Sequence, residues 1–346
     1  MKNTSLSILL FSFIFAFIFS SCKNSTGPEN DSPFYPVILK TTDGGNQWFK
    51  IPPEKFETVP AYNDITDMIF FNDKSGIAVG REGIMYRYDA SVDFWWKVTG
   101  LESINFSSID IIDTNSCIAV GNVNSNGSRI IRTNDKGIHW TVIDENNSSN
   151  LLKVDFTEAQ YGFILASNNY LCKTFDFGYT WNWLPIVSAS TDLWDLEFLN
   201  PQKGFAVGSY YNSTAYLNKT TNGGTNWTSQ NIFQGTGQTA YKIRFYNNNT
   251  GIAIGNGNVI VKTTDGGDTW NNLTVTPNTT MIMRDLDFVN ENKIFVIGIN
   301  TLYRSEDGGL NWTSYTFPTS EYPTVIRFID ENTGYIAGRF DHVNNR

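Results

Sequence analysis

Tryptophan recurs through this 346-residue chain at a nearly constant interval. Seven of the ten tryptophans lie 41 to 47 residues apart, which is the length of one blade of a β-propeller. They are Trp48, Trp95, Trp140, Trp181, Trp227, Trp270 and Trp312. A period of this length predicts a repeat architecture, in which each repeat buries its apolar surface against its neighbours.

Six of these tryptophans end the same eight-residue pattern, for example Thr-Thr-Asp-Gly-Gly-Asn-Gln-Trp at 41–48. The third position is Asp43, Asp135, Asp176, Asn222, Asp265 or Asp307. Such a side chain can accept backbone N–H groups of a turn, and the glycine after it can take a conformation that is costly for other residues. The pattern predicts a hairpin with a structural role. The copy that ends at Trp95 has Ala90 and Val92 instead, which predicts a different turn.

We call this eight-residue pattern a box. Two further strand patterns precede each box after the first, as residues 68–71 and 77–80 precede the divergent copy that ends at Trp95, and no helical period occurs anywhere. Four β-rich runs per repeat predict four-stranded antiparallel blades. Residues 324–328 and 334–338 are two inner strands without a box, whereas residues 37–48 are two outer strands without inner ones. Because these halves complete one blade beside six intact ones, we predict an all-β, seven-bladed propeller over residues 34–346, closed by both termini.

These motifs resemble the BNR/Asp-box repeats of sialidases, sortilin-type receptors, tandem-propeller xyloglucanases and photosystem II stability/assembly factors. The Lys-Thr-Thr-Asp-Gly-Gly form at 40–45, with Gly-hydrophobic-Ala-Val-Gly upstream as at 204–208, is most similar to the assembly-factor group. The resemblance covers essentially all of residues 34–346. The resemblance is strong evidence for the propeller fold and implies that the boxes are structural. It is weak evidence for function, since one scaffold hosts unrelated activities.

Residues 1–21 have the composition of a signal peptide, with one lysine before an apolar run too short to span a bilayer comfortably. The run ends in Phe-Ser-Ser-Cys at 19–22, which resembles the bacterial lipobox. We therefore expect a lipid on Cys22; an ordinary cleaved signal is the alternative. Residues 22–33 are polar and predict a flexible tether. A lipid-anchored protein of the bacterial cell envelope, at the outer membrane, is expected.

The formal net charge of -9 argues against nucleic acid as the main partner, because nucleic acids select basic surfaces. Cys117 and Cys172 lie in different repeats and predict buried free thiols rather than a disulfide framework or a metal site. With two histidines, the chain offers no histidine cluster. We expect no cofactor and no metal, and a monomer.

Aligning the inner strands places two columns of polar residues near the propeller axis. The first column is Ile69, Asp110, Asp155, Glu197, Arg244, Asp287 and Arg327, and it is predicted to face the central channel or a hydrated seam. The second is Asp67, Ser108, Lys153, Asp195, Lys242, Asp285 and Val325, predicted near the channel mouth. The columns are either a funnel for a ligand or a solvated channel whose charges pair with one another.

The candidate binding residues are aromatic and basic and are predicted on the top face, defined as the face on which the inner strands begin. They are Trp194, Tyr210, Tyr211, Tyr241, Lys242, Arg244, Arg284, Arg327 and Arg339. Exposed aromatics can anchor a partner, and clustered basic groups make a local positive field, although blade packing and pairing with carboxylates are the alternatives. The predicted function is a non-catalytic binding or assembly module of the cell envelope that holds a protein or glycan partner on this face.

A glycoside hydrolase is the alternative function. A sialidase-like site would need three arginines, for which Arg244, Arg284 and Arg327 are candidates. A xyloglucanase-like site would need two carboxylates across a cleft, and the candidates are Asp110, Asp155, Glu197 and Asp287. Xyloglucanases of this type place the cleft between two propellers, whereas this chain has the repeats for one. No catalytic residue is therefore assigned.

Overall fold

A computed structural model describes residues 37–57, 64–101, 103–123, 127–146, 149–185, 191–210, 214–232, 238–257, 260–275, 282–317 and 321–340. Cys22, the predicted signal peptide, the predicted tether and Tyr211 lie outside these residues. The described chain forms seven four-stranded antiparallel sheets, and the predicted all-β seven-bladed propeller is confirmed. Among the described residues, no helix has the length and apolar character needed to cross a bilayer.

Six blades are formed by consecutive strands. Blade 1 is β3 (Ile65–Asn72), β4 (Ser75–Gly80), β5 (Met85–Asp89) and β6 (Phe94–Lys97). Blade 2 is β7 (Ile104–Ile111), β8 (Cys117–Val123), β9 (Gly127–Thr133) and β10 (Thr141–Asn146). Blade 3 is β11 (Leu151–Glu158), β12 (Tyr161–Ala166), β13 (Tyr170–Thr174) and β14 (Asn182–Pro185). Blade 4 is β15 (Thr191–Phe198), β16 (Gly204–Tyr210), β17 (Thr214–Thr220) and β18 (Thr228–Asn231).

Blade 5 is β19 (Ala240–Phe245), β20 (Gly251–Gly255), β21 (Ile260–Thr263) and β22 (Asn271–Asn272). Blade 6 is β23 (Met283–Phe288), β24 (Ile294–Gly298), β25 (Thr301–Ser305) and β26 (Thr313–Thr316). Blade 7 joins β27 (Glu321–Phe328) and β28 (Gly334–Phe340) to β1 (Val37–Thr41) and β2 (Phe49–Lys50). Short 3-10 helices cover Pro53–Lys55 and Ser167–Asn169.

The closing blade is formed by the strands predicted from the sequence, two from each end of the chain. Strand β1 pairs with β28 from Val37 opposite Gly338 to Thr41 opposite Gly334. Pairing of the two ends of the chain leaves blade 7 as complete as the others, so the closure leaves no open sheet edge between blades 6 and 1.

Each Asp box is a hairpin held by the predicted side chain. Asp43 Oδ1 accepts hydrogen bonds from the backbone N–H of Asn46 and Gln47 at 3.0 and 2.9 Å. The corresponding bond to the residue four positions later recurs at Asp135, Asp176, Asn222, Asp265 and Asp307. Blade 1 differs as expected: Asp89 accepts from Ser91 N–H at 3.0 Å, and Asp93 takes a φ of 50°.

The core consists of apolar clusters between neighbouring blades. Phe205 stacks on Phe245 of the next blade with ring centroids 4.8 Å apart, and Trp270, at the end of a box, meets Phe245 edge-on at 5.9 Å. Cys117 and Cys172 are buried in this core as free thiols, and burial raises the pKa of both.

One irregularity recurs in the inner strand of every blade. The register between the first and second strands shifts by one residue, so that one residue of the inner strand bulges out of the pairing. The bulged residues are Thr66, Ser107, Leu152, Trp194, Tyr241, Arg284 and Thr324. Glycine lies opposite the bulge in six blades, and Ala166 lies there in blade 3. The bulge crowds the backbones, since a Cβ on Gly208 would overlap the carbonyl oxygen of Asp192.

Candidate binding sites on the axis and the top face

A cavity of about 470 Å³ lies on the propeller axis. All seven residues of the first column line it, which confirms that this column faces the central channel. Most of the other lining residues, among them Phe71, Asn72, Ile111 and Phe328, come from the second half of the inner strands, and Lys153 of the second column also reaches the cavity. Because these strands run from the top face towards the Asp boxes, the cavity lies on the Asp-box side of the channel.

The carboxylates of the first column bind the next blade. Each accepts a hydrogen bond from a backbone N–H of the following inner strand, and burial raises the pKa of each group. The pairs are Asp110 with Phe156 at 2.6 Å, Asp155 with Phe198 at 2.7 Å, Glu197 with Phe245 at 3.0 Å and Asp287 with Phe328 at 2.6 Å. These groups therefore join adjacent blades as well as lining the cavity.

The second column, together with Arg327 of the first, forms a buried ion network rather than an exposed mouth. Arg327 Nη2 lies 2.7 Å from Asp67 Oδ1, and Arg327 Nη1 lies 2.5 Å from Asp285 Oδ2. Lys242 Nζ lies 3.6 Å from carboxylate oxygens of both Asp195 and Asp285. Pairing among the charges, one of the two alternatives for these columns, is thus present in the structure.

The two columns together hold seven carboxyl groups and four basic groups. The carboxyl groups thus exceed the basic groups by three, and this excess lies at Asp110, Asp155 and Glu197, which come from three consecutive blades. Burial raises the pKa of Asp155 well above its usual range, and repulsion by Asp110 and Glu197 adds to the increase. Burial also raises the pKa of Glu197 to about 7, against the opposing effect of Arg244. Among described residues, no group of His, Cys, Asp and Glu is arranged to hold a metal ion.

The bulges place three of the predicted binding residues at equivalent positions of consecutive blades on the top face. Trp194, Tyr241 and Arg284 occupy the bulged position of blades 4, 5 and 6. The Trp194 side chain is 48% exposed, and its ring meets Tyr241 edge-on with centroids 6.0 Å apart. Arg284 is half-buried, and burial lowers its pKa against the opposing effects of Asp64 and Tyr322. We call these three residues the bulge cluster.

The structure separates the remaining predicted binding residues. The placement of Lys242, Arg244 and Arg327 on the top face is wrong: Lys242 and Arg327 belong to the buried network, and Arg244 lines the cavity, because the bulge puts these positions beneath the mouth. Arg339 is exposed on the top face, with Nε 3.7 Å from Asp64 Oδ1. Tyr210 ends β16 at the top face, and its side chain is not described.

The bulged position also contains hydroxyl residues that were not identified from the sequence. Thr66 Oγ1 donates to the carbonyl oxygen of Phe106 at 2.9 Å, and Ser107 Oγ donates to that of Leu151 at 2.7 Å. Thr324 Oγ1 makes the same kind of bond to Ile65. Blades 7, 1 and 2 thus use the bulge to join neighbours, whereas blades 4 to 6 use it to present larger side chains.

Residues 182–279 match the family described as photosynthesis system II assembly factor YCF48. The chain is also similar to a solved structure of YCF48 bound to a D1 peptide, with 19% identity and a TM-score of 0.66 over 91% of this chain and 97% of that one. YCF48 from Cyanidioschyzon merolae aligns at 15% identity and the same TM-score, over 82% and 95% of the two chains. The resemblance to the assembly-factor group is confirmed.

Outside that group, the propeller aligns with the GH74 xyloglucanase from Xanthomonas campestris at 15% identity and a TM-score of 0.63. The alignment covers 80% of this chain but 51% of the xyloglucanase. Likeness at this level shows a shared propeller fold. No curated protein matches the chain.

Proposed function

We propose that the protein is a non-catalytic binding or assembly module that holds a protein partner on its top face. The observation that carries the proposal is the bulge cluster, in which Trp194 is 48% exposed beside Tyr241 and Arg284 occupies the same position one blade further on. Bulges redirect side chains at functional sites, and Trp, Tyr and Arg are the residues that most often dominate protein interfaces. The similar YCF48 structure is bound to a D1 peptide, which favours a protein over a glycan as partner here.

Glycan hydrolysis is the second candidate function, and the geometry supports it less well. It requires two carboxylates facing each other across the substrate, with one free to give a proton. Asp110, Asp155 and Asp287 each bind a backbone N–H of the next blade at 2.6 to 2.7 Å in a channel. A screen of the purified domain on sialosides and β-glucans distinguishes the two functions, and turnover of either substrate would reject the binding proposal.

Truncation of the exposed aromatic tests the top face. The partner is first captured by crosslinking and then purified. We expect Trp194→Ala to weaken its binding by at least tenfold, or about 1.4 kcal/mol, because the indole is the largest exposed surface of the cluster. Trp96→Ala is the matched control, since Trp96 is 43% exposed on the outer strand β6 of blade 1. Equal affinities for Trp194→Ala and Trp96→Ala, measured by calorimetry, would remove Trp194 from the site.

We further propose that the protein is a lipid-anchored member of the bacterial cell envelope, at the outer membrane. The lipobox-like sequence at Cys22 supports this. Strand β1 begins at Val37 beside Gly338, on the top face, so the chain enters the propeller on the side of the bulge cluster. Fourteen residues separate Cys22 from Val37, and a chain of that length reaches about 50 Å at most. A top-face partner would then lie close to the membrane.

The anchor is tested by Cys22→Ser. We expect the variant to leave the membrane fraction and to keep its signal peptide uncleaved, because a serine cannot carry the thioether-linked lipid. Fractionation and the mass of the precursor measure both effects. A variant that partitions and is processed like the wild type would show that Cys22 is not the anchor.

A further inference from the structure

The Asp box of blade 3 carries three exposed aromatic side chains within five residues. Phe175 is 58% exposed, Phe177 is 43% exposed and Tyr179 is 53% exposed. The box lies at the end of the propeller opposite the bulge cluster, because boxes connect the third and fourth strands of each blade. We call these three residues the box-3 platform. None of the functions considered above uses it.

Phe177 takes a backbone conformation that is unfavourable for phenylalanine. Its φ is +63°, in the left-handed region, where a bulky side chain costs about 1 kcal/mol or more. Four of the other boxes place glycine at this position, namely Gly44, Gly223, Gly266 and Gly308. The remaining box has Lys136, with a φ of +58°. Blade 3 therefore keeps an exposed aromatic where glycine would be the more stable choice.

A buried arginine of the neighbouring blade binds the Phe177 backbone and the Tyr179 side chain. Arg132, which is 5% exposed, donates from Nε to the Phe177 carbonyl oxygen at 3.1 Å and from Nη1 to Tyr179 Oη at 3.0 Å. Its guanidinium also lies 4.2 Å from the centre of the Tyr179 ring. Tyr161 meets Phe175 edge-on at 5.9 Å. The aromatic surface is thus ordered in advance, which reduces the entropy cost of binding.

The charged groups around the platform carry a small acidic excess, because Asp176, Glu158 and Asp135 outnumber Lys136 and the buried Arg132. Asp176 lies within it, and Glu158 is exposed on the turn whose Gln160 carbonyl accepts the Phe177 N–H. Asp135 and Lys136 lie in the adjacent box of blade 2, whose Arg132 contacts the platform. The surface therefore combines an apolar centre with a negative rim, and a partner of the opposite sign fits it.

We propose that the box-3 platform is a docking surface for a protein segment that presents an aliphatic or aromatic side chain flanked by lysine or arginine. The apolar side chain packs on Phe175 and Phe177, and the basic groups face Asp176 and Glu158. The site does not depend on the top face. A protein with both surfaces holds two partners at opposite ends of one rigid propeller, which is a geometry suited to assembly.

The test uses short synthetic peptides with a central leucine or tryptophan flanked by lysines, and matched peptides flanked by glutamates. We expect the lysine-flanked peptides to bind the wild-type domain in a fluorescence anisotropy titration, and Phe177→Gly to weaken that binding about tenfold or more. The same variant should melt at an equal or higher temperature than wild type, because glycine accepts the positive φ without strain.

Lys136→Gly is the matched control, since it relieves the same strain in the neighbouring box. It should raise or preserve the melting temperature and leave peptide affinity unchanged or slightly higher. The proposal is overturned if no lysine-flanked peptide binds, if glutamate-flanked peptides bind equally well, or if Phe177→Gly binds like wild type. The proposal is also overturned if the wild-type domain self-associates and Phe177→Gly abolishes that association, because the platform would then be a contact between two copies of the chain.

Discussion

Replacing Arg327 with methionine is expected to destabilise the propeller by about 3–5 kcal/mol, the usual cost of removing one partner from a buried ion pair. Arg327 joins three blades: its guanidinium lies 2.5 Å from Asp285 of blade 6 and 2.7 Å from Asp67 of blade 1. Both carboxylates are almost completely buried. The substitution removes the nearest cation from each carboxylate and leaves Asp67 with Lys153 at 3.5 Å and Asp285 with Lys242 at 3.6 Å.

The position of Arg327 increases the effect. At most blade boundaries a carboxylate accepts a backbone N–H of the next blade, as Asp285 does from Ile326 at 3.0 Å. Blade 7 carries Val325 and Arg327 at the column positions, so it has no such carboxylate to offer blade 1. At this boundary the Arg327 guanidinium and the Thr324 hydroxyl supply the polar contacts to the inner strand of blade 1, beside an apolar cluster that includes Tyr335.

The control is Arg129→Met, which breaks a salt bridge of the same length. Arg129 Nε lies 2.7 Å from Glu145 Oε1, but the two side chains are 33% and 55% exposed, so a loss of less than about 1 kcal/mol is expected. Denaturant unfolding of both variants gives the comparison. A difference below 1 kcal/mol between them would show that the network contributes little to closure.

The number of blades and their closure could be predicted because both depend on local sequence. Each box needs an Asx side chain, a glycine and a tryptophan at fixed positions, and these are visible in one repeat without knowledge of the others. The column Asp110, Asp155, Glu197, Asp287 could be placed on the channel for the same reason, since alternation along a strand fixes which residues share a face.

The depth of each residue along the channel could not be predicted, because a bulge shifts the register without changing the composition of the strand. The alignment therefore placed Lys242 and Arg327 near the mouth, where the structure has Tyr241 and Arg284. One signal was available in the sequence: the glycine that ends the Ala-Val-Gly motif, as Gly208 does, indicates a close backbone approach. The box pattern does not indicate the exposed Phe177, because it specifies only the residues that the repeats share.

Replacing Glu197 with glutamine is expected to stabilise the propeller at pH 8 by up to about 3 kcal/mol and to have little effect near pH 4.5. Burial raises the pKa of Glu197 to about 7 from an ordinary value of 4.5. Its Oε2 atom is buried and has no hydrogen-bond partner among the described residues, whereas Oε1 accepts the Phe245 N–H at 3.0 Å. Glutamine keeps an oxygen for Phe245 and carries no charge.

The sign follows from proton binding in the two states. Between pH 4.5 and 7 the folded protein holds a proton on Glu197 that the unfolded chain has released, so the free energy of unfolding falls as the pH rises through this interval. Burial raises the pKa of Asp155 in the same direction, and Glu197 contributes to that increase. Neutralising Glu197 should therefore reduce the pH dependence contributed by both groups.

Asp67 and Asp285 limit stability on the acid side. Burial alone would raise the pKa of both, but the cations of the network outweigh it and hold each pKa below its usual range. Their contribution is present above about pH 4 and is lost as the pH falls below that value. Wild-type stability should therefore be greatest at mildly acidic pH, between the loss of these ion pairs and the ionisation of Glu197.

Denaturant unfolding at pH 5, 6, 7 and 8 measures the effect for wild type, Glu197→Gln and the control Glu158→Gln, which changes an exposed carboxylate of the same kind. The wild type and the control should lose stability in parallel from pH 5 to pH 8, and Glu197→Gln should lose much less. Parallel curves for all three proteins would mean that Glu197 is ionised at no cost. The three excess carboxylates of the channel would then be compensated by solvent entering the cavity rather than by protonation.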